Sequence, residues 1–215
     1  MKLQLAFDAL ELSRALDCIQ KVKEYVDIIE VGTPLCLSVG IEGVKQYRTH
    51  FPELEVLADM KIMDGGKKEA TMAFENGADY VTVLAVTDRA TVKQVVEAAK
   101  EFGKKVVVDM ICATNIKETV EAMEEIGVDV IAVHTGTDQQ RMGRTPLEDL
   151  KEIKKYVKNC EVAVAGGINS DTVLDYIKLG ADIIIVGKGI SAAKDPREEA
   201  RKIKMIMEEV KNGKL

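Results

Sequence analysis

Val56-Leu57-Ala58-Asp59-Met60-Lys61 begins as an apolar strand and ends on opposite charges two residues apart. Side chains alternate across a strand, so Asp59 and Lys61 share one face while Met60 and Ile62 take the other. Short β-branched runs of this kind recur along the chain: Leu3–Phe7, Ile28–Val31, Tyr80–Leu84, Val106–Val108, Val130–Val133, Val162–Ala165 and Ile183–Val186. With Val56–Ala58 they make eight predicted strands. Amphipathic segments separate them, among them Thr91–Phe102 before Gly103, Ile116–Ile126 before Gly127, and Thr172–Leu179 before Gly180. A glycine just past the last periodic residue is a helix stop. Strict β/α alternation means parallel strands with right-handed crossovers, either in an open doubly wound sheet or in a closed barrel. The charges decide between them. Asp8 follows the first run, Glu30 interrupts the second, Asp59 and Lys61 end the third, Asp109 the fifth and His134 the sixth. All lie at C-terminal strand ends, which a barrel gathers at one mouth and an open sheet spreads apart. The expectation is a single (β/α)8 TIM barrel over residues 1–215, closed by a last helix from about Pro196 to Lys211, with units that repeat in kind but without a repeated sequence.

Composition narrows the function. The chain has 215 residues, 30 Lys+Arg against 36 Asp+Glu, and a net charge of −6. Without a basic tract, broad binding to nucleic acid or to an anionic membrane surface is not expected. No apolar run approaches the roughly 20 residues of a membrane helix, and acids at Asp8 and Glu11 interrupt any export-type apolar segment. A cytoplasmic location follows as an expectation. Cys18, Cys36, Cys112 and Cys160 lie far apart, with only His50 and His134 to assist, so the expectation is buried reduced thiols rather than a zinc site. His50, at an expected helix end in Tyr47-Arg48-Thr49-His50, is placed on the surface.

A carboxylate beside an ammonium in a partly dry pocket holds a cation and stabilises an anion developing on a substrate. Ile28, Glu30 and Gly32 share a face, placing Glu30 within reach of Asp59, and two carboxylates suit Mg²⁺, which keeps several waters. Each group also has a structural reading: Asp59 with Lys61 as an ion pair plugging the barrel, Glu30 satisfied by a lysine, His134, Asp109 and Asp8 as hydrogen-bonded strand ends. Glycines form a second signal, in Ala165-Gly166-Gly167-Ile168 and Val186-Gly187-Lys188-Gly189. Both stretches lead into helices after strands seven and eight, where barrels commonly bind phosphate with exposed amides.

The motif Asp-x-Lys-x-x-Asp, here Asp59-Met60-Lys61-Ile62-Met63-Asp64, resembles that of the orotidine-phosphate decarboxylase superfamily, and the similarity covers essentially the whole chain. Ile28-Ile29-Glu30-Val31-Gly32-Thr33-Pro34 and His134-Thr135-Gly136-Thr137-Asp138-Gln139-Gln140 are similar to its metal-dependent aldolase branch. That resemblance implies condensation of formaldehyde with D-ribulose 5-phosphate through an enediolate. It implies Glu30 and Asp59 as ligands of Mg²⁺, with Mn²⁺ the alternative, Lys61 as the stabiliser of the enediolate, His134 as the proton-transfer group and Asp8 in the substrate network. It further implies a homodimer in which Asp64 reaches the neighbouring subunit's site. Gly166, Gly167, Gly187 and Lys188 would hold the phosphate, although relatives often carry arginine where this chain has Lys188. The competing branch decarboxylates 3-keto-L-gulonate 6-phosphate and typically has arginine three residues after the strand-six histidine; Thr137 stands there. From another class, a non-catalytic sugar-phosphate sensor would use the same mouth.

Overall fold

The computed structural model describes residues 1–8 and 10–214. The chain runs β1 (Lys2–Phe7), α1 (Leu12–Val22), β2 (Ile28–Val31), α2 (Thr33–Val39), α3 (Glu42–His50), β3 (Glu55–Ile62), α4 (Gly66–Glu75), β4 (Tyr80–Leu84), α5 (Arg89–Phe102) and β5 (Lys105–Asp109). It continues through α6 (Ile116–Ile126), β6 (Val130–His134), α7 (Thr137–Arg141), α8 (Pro146–Ile153), β7 (Glu161–Ala165), α9 (Val173–Lys178), β8 (Ile183–Val186), α10 (Lys188–Ser191) and α11 (Pro196–Lys211). All strand pairs are parallel and β8 returns to β1, so the sheet closes as the expected (β/α)8 barrel. The helix stops act as read: Gly103 and Gly127 end α5 and α6 in the left-handed conformation that only glycine adopts without strain.

Alternation sorts the strand residues into two cores. Outward positions such as Leu3, Ile29, Val81, Val108, Ile131, Val164 and Ile184 pack under the helices. Inward positions fill the barrel in layers. The middle layers are apolar: Ile28, Leu57, Tyr80, Val107, Val130, Ala163 and Ile183 form one cluster. Beneath them the N-terminal rim is polar and paired. Lys2 Nζ donates to Glu55 Oε2 at 2.5 Å and to the Tyr80 hydroxyl at 2.9 Å, and Lys105 Nζ reaches Glu161 Oε2 at 3.3 Å. The third strand is longer than its apolar run because its inward polar residues face a cavity instead of ending the ladder.

A repeat is present after all, and it is four residues long. Val26-Asp27-Ile28-Ile29, Ala78-Asp79-Tyr80-Val81, Val128-Asp129-Val130-Ile131 and Ala181-Asp182-Ile183-Ile184 each open an even-numbered strand. Each aspartate accepts from a backbone N–H of the preceding odd strand, at Leu3, Val56, Val106 and Val162, all at 2.8–2.9 Å. Each also donates its own N–H to that residue's carbonyl. The aspartates therefore set the register of neighbouring strands at the N-terminal rim, quarter by quarter.

Candidate active site

At the opposite rim the inward layer turns polar around a cavity of about 520 Å³. Asp8, Glu30, Asp59, Lys61, His134, Gly166, Gly167, Gly187 and Lys188 all line it, brought together from six strands. Asp64 does not. It is exposed on the β3–α4 loop, where its carboxylate accepts from the Gly65 N–H at 2.7 Å.

Asp59 and Lys61 do face one side, but not on a regular strand. Between Ala58↔Val81 and Ile62↔Val83 the β3–β4 register shifts, and Lys61 takes a left-handed φ of +47°. Lys61 Nζ donates to Asp59 Oδ2 at 2.6 Å and lies 3.3 Å from Asp109 Oδ2. Burial disfavours the ammonium, yet the charges of Asp59 and Asp109 outweigh it and hold the Lys61 pKa above its usual value. Lys61 is a fixed cation. Asp59 also accepts from the Thr33 hydroxyl at Oδ2 and the Thr82 hydroxyl at Oδ1.

Glu30 meets no lysine. Its Oε2 accepts from Gln4 Nε2 at 2.6 Å, and Oε1 has no hydrogen-bond partner among the described residues. Burial, followed by the charge of Asp59, pushes its pKa well above the ordinary carboxylate range. A nearly buried carboxylate with a free oxygen beside a second carboxylate is a donor set short of positive charge. Asp8 is shifted upward as well, by burial and then by Asp59, with Lys61, His134 and Lys188 opposing. The described residues contain no cluster of three or more metal-ligating side chains. The protein's share of a cation site is then the Glu30–Asp59 pair, with water and substrate oxygens supplying the rest, which fits Mg²⁺.

His134 Nδ1 lies 2.8 Å from Asp109 Oδ2. Burial opposes ionisation of Asp109, but the hydrogen bond and charge of His134, with Lys61 and the Ile111 N–H, bring its pKa below the usual value. An ionised carboxylate only accepts, so His134 Nδ1 carries a proton and Nε2 is left for proton exchange with the cavity. His50 is exposed at the end of α3, bonded to the Gln46 carbonyl.

The two glycine loops form one wall. Gly166 and Gly167 have φ of +133° and +70°, and a Cβ on Gly189 would stand 2.2 Å from the Ile168 carbonyl oxygen. Only glycine lets α10 pack this closely on the loop after β7. Lys188 projects from that wall, exposed. Cys18 is buried and Cys36 and Cys160 partly so, but Cys112 is exposed at the cavity, contrary to the expectation of four buried thiols. It lies on the β5–α6 loop with φ +61°, where apolar packing does not reach.

Gln4, Thr33 and Thr82 escape a reading of the sequence, because they are neutral side chains on or beside apolar strands and become legible only through their partners. Asp109 is a visible strand-end acid, but its role of holding His134 depends on the β5–β6 pairing.

Among known proteins, the chain is 44% identical over 207 residues to the 3-hexulose-6-phosphate synthase of Bacillus subtilis (strain 168), covering 96% of this chain and 99% of that protein. Its fold matches the crystal structure of 3-hexulose-6-phosphate synthase from Salmonella typhimurium with a TM-score of 0.95 and 52% identity, over 97% and 99% of the two chains. KGPDC from Streptococcus mutans, solved with a bound sugar phosphate, matches with a TM-score of 0.90 at 27% identity, over 97% and 98%. Residues 1–203 match the model of one family, and the chain belongs to it: the Orotidine 5'-phosphate decarboxylase / HUMPS family.

Proposed function

We propose that this chain, as a single barrel domain, catalyses the reversible aldol condensation of formaldehyde with D-ribulose 5-phosphate to D-arabino-3-hexulose 6-phosphate. The observation that carries the reading is the joining of the Glu30–Asp59 pair, the fixed Lys61 cation and the Asp109-held His134 in one cavity with a glycine wall. Relatives named for this reaction at 44% and 52% identity over nearly the full length support it, and the decarboxylase relative stands further off at 27%. The ligand bound by that relative supports a sugar-phosphate substrate.

The glycine wall and Lys188 hold the phosphate, and with it the reacting carbons, near the carboxylates. Lys188 does so as a point charge, without an arginine's paired donors. Glu30 and Asp59 would hold Mg²⁺, or Mn²⁺ in its place. When bound, the cation supplies positive charge beside the substrate's carbonyl and so lowers the cost of taking the C1 proton. His134 Nε2 takes that proton while Asp109 stabilises the imidazolium that results. Lys61 faces the enediolate oxygen and offsets its charge. C1 of the enediolate then forms the new bond to the formaldehyde carbon, and the formaldehyde oxygen is protonated. Asp8 completes the polar floor on the substrate's side. No described helix is long and apolar enough to cross a membrane, and we assign the enzyme to the cytoplasm and to small-molecule substrates, not nucleic acid.

Asp64, outside its own cavity, serves the partner's site in a homodimer. Mixing inactive Asp64→Asn and Lys61→Ala subunits should then restore activity through the heterodimer; a verified heterodimer without activity contradicts the shared site. The reaction itself is tested by formaldehyde consumption with ribulose 5-phosphate, with Mg²⁺ and with EDTA, beside CO₂ release from 3-keto-L-gulonate 6-phosphate. Metal-dependent formaldehyde loss that exceeds CO₂ release is expected. The reverse ratio would make the chain a decarboxylase and Thr137 a misleading sign, and inactivity in both would point to a sensor.

A further inference from the structure

Thr82 is neither a charge nor a ligand, yet it is bonded to both halves of the Asp59–Lys61 pair. It stands on β4 opposite the break in β3, where the four steps from Ala58 to Ile62 face the two from Val81 to Val83. The slack is taken up at Lys61, whose left-handed backbone is unfavourable for any residue with a side chain. The shifted register removes the Lys61 N–H from the strand ladder, and the Thr82 hydroxyl accepts it instead, at 2.8 Å. The same hydroxyl donates to Asp59 Oδ1, also at 2.8 Å, and Thr82 is only 5% exposed. One proton and one lone pair are each committed in a dry place, so neither bond is readily exchanged for water.

We propose that Thr82 is the positioning residue of this site: its hydroxyl clamps the backbone of Lys61 and the carboxylate of Asp59 at once, and so fixes the spacing of cation and ligand. This rests on the reaction assigned above, which gives the spacing its use. Thr33 also bonds Asp59 but makes no bond to the Lys61 backbone, so it cannot set that spacing. Without the hydroxyl, Lys61 is free to leave its left-handed conformation, and displacement of a catalytic group by about 1 Å costs about 100-fold in rate.

Thr82→Val keeps the size and removes both bonds. Its kcat is expected to fall by about 100-fold, while KM for ribulose 5-phosphate changes little, because the phosphate wall is built from other strands. Mn²⁺ affinity of the substrate-free protein, read by water proton relaxation, should weaken, since Asp59 loses a donor that orients it. A crystal structure of the variant should show Lys61 Nζ displaced from Asp59. Thr82→Ser, which restores the hydroxyl, should recover most of kcat where Thr82→Ala does not. If Thr82→Val does not fold, this Ser/Ala pair carries the comparison, as both lack the methyl and differ only in the hydroxyl. A Thr82→Val enzyme with wild-type kcat, or a variant structure with Asp59 and Lys61 unmoved, overturns the proposal. A wild-type chain without activity toward ribulose 5-phosphate and formaldehyde overturns the assigned reaction alone, and the variant structure still decides the clamp.

Discussion

The two rims of this barrel draw on similar residues and balance them in opposite ways. At the N-terminal rim every second strand opens on the same aspartate, bonded to the neighbouring backbone, and the charges around it are matched. Asp27 is paired with Lys204, Asp79 with Arg48 and Lys104, Lys2 with Glu55 and Lys105 with Glu161. At the C-terminal rim no position repeats. Glu30, Asp59, Asp109 and Asp8 crowd around a single lysine held in a strained conformation, one glutamate oxygen is without a partner among the described residues, and the carboxylates of Glu30 and Asp8 resist ionisation. A fold that can satisfy its charges at one end and does not at the other is holding that imbalance for a ligand. The fourfold device secures the barrel, and chemistry has removed the symmetry where substrate binds.

The largest expected effect is Lys61→Ala. Loss of the cation facing the enediolate should lower kcat by on the order of 10²- to 10³-fold, with the barrel intact by circular dichroism; near-normal turnover would empty the C-terminal rim of its assigned purpose. Glu30→Gln comes next. It should weaken Mg²⁺ binding by at least the roughly 10- to 100-fold that loss of even an outer-shell partner costs. The metal-free variant should melt no lower than the parent, because a crowded charge has been removed from a buried place. An unchanged metal titration would reject Glu30 as a ligand.

The N-terminal rim should respond the other way. Asp79→Ala leaves the Val56 N–H, Arg48 and Lys104 without their acceptor and is expected to cost about 1–3 kcal/mol of stability, with kcat unchanged. Although burial opposes it, the hydrogen bonds from Lys104 and Val56 and the charge of Arg48 lower the Asp79 pKa in the folded state. A lowered carboxylate pKa stabilises the fold above the unfolded value of about 3.9, and that contribution is lost as pH falls through the folded value. The difference in melting temperature between parent and Asp79→Ala should therefore be full near neutrality and shrink in acid. A constant difference down to strongly acid pH would contradict the role given to its charge. Smallest of all is Lys151→Ala, which removes an exposed pair with Glu148 on α8 and should leave melting and turnover where they were.

The contrast between the rims also explains which features are legible in the sequence. Charge at the end of an apolar strand is conspicuous, so Asp59, Lys61, Asp109 and His134 mark the mouth of the barrel by their positions along the chain. Threonine is an ordinary strand residue, so Thr33 and Thr82 give no such signal, and the left-handed turn at Lys61 leaves no trace in Asp59-Met60-Lys61. The fourfold aspartate is written in the chain at intervals of 50 to 53 residues. It is too short to stand out until strand entries are aligned. The position of Asp64 on an outward loop fits a role beyond its own cavity, which a single chain does not display.

The most direct test of the central claim dispenses with formaldehyde. Ribulose 5-phosphate incubated in D₂O with the enzyme and Mg²⁺ should exchange its C1 proton for deuterium, followed by NMR, and the exchange should stop with EDTA and in Lys61→Ala. Formaldehyde consumption without any such exchange, or exchange that persists in Lys61→Ala and in EDTA, would contradict an enediolate stabilised at this rim.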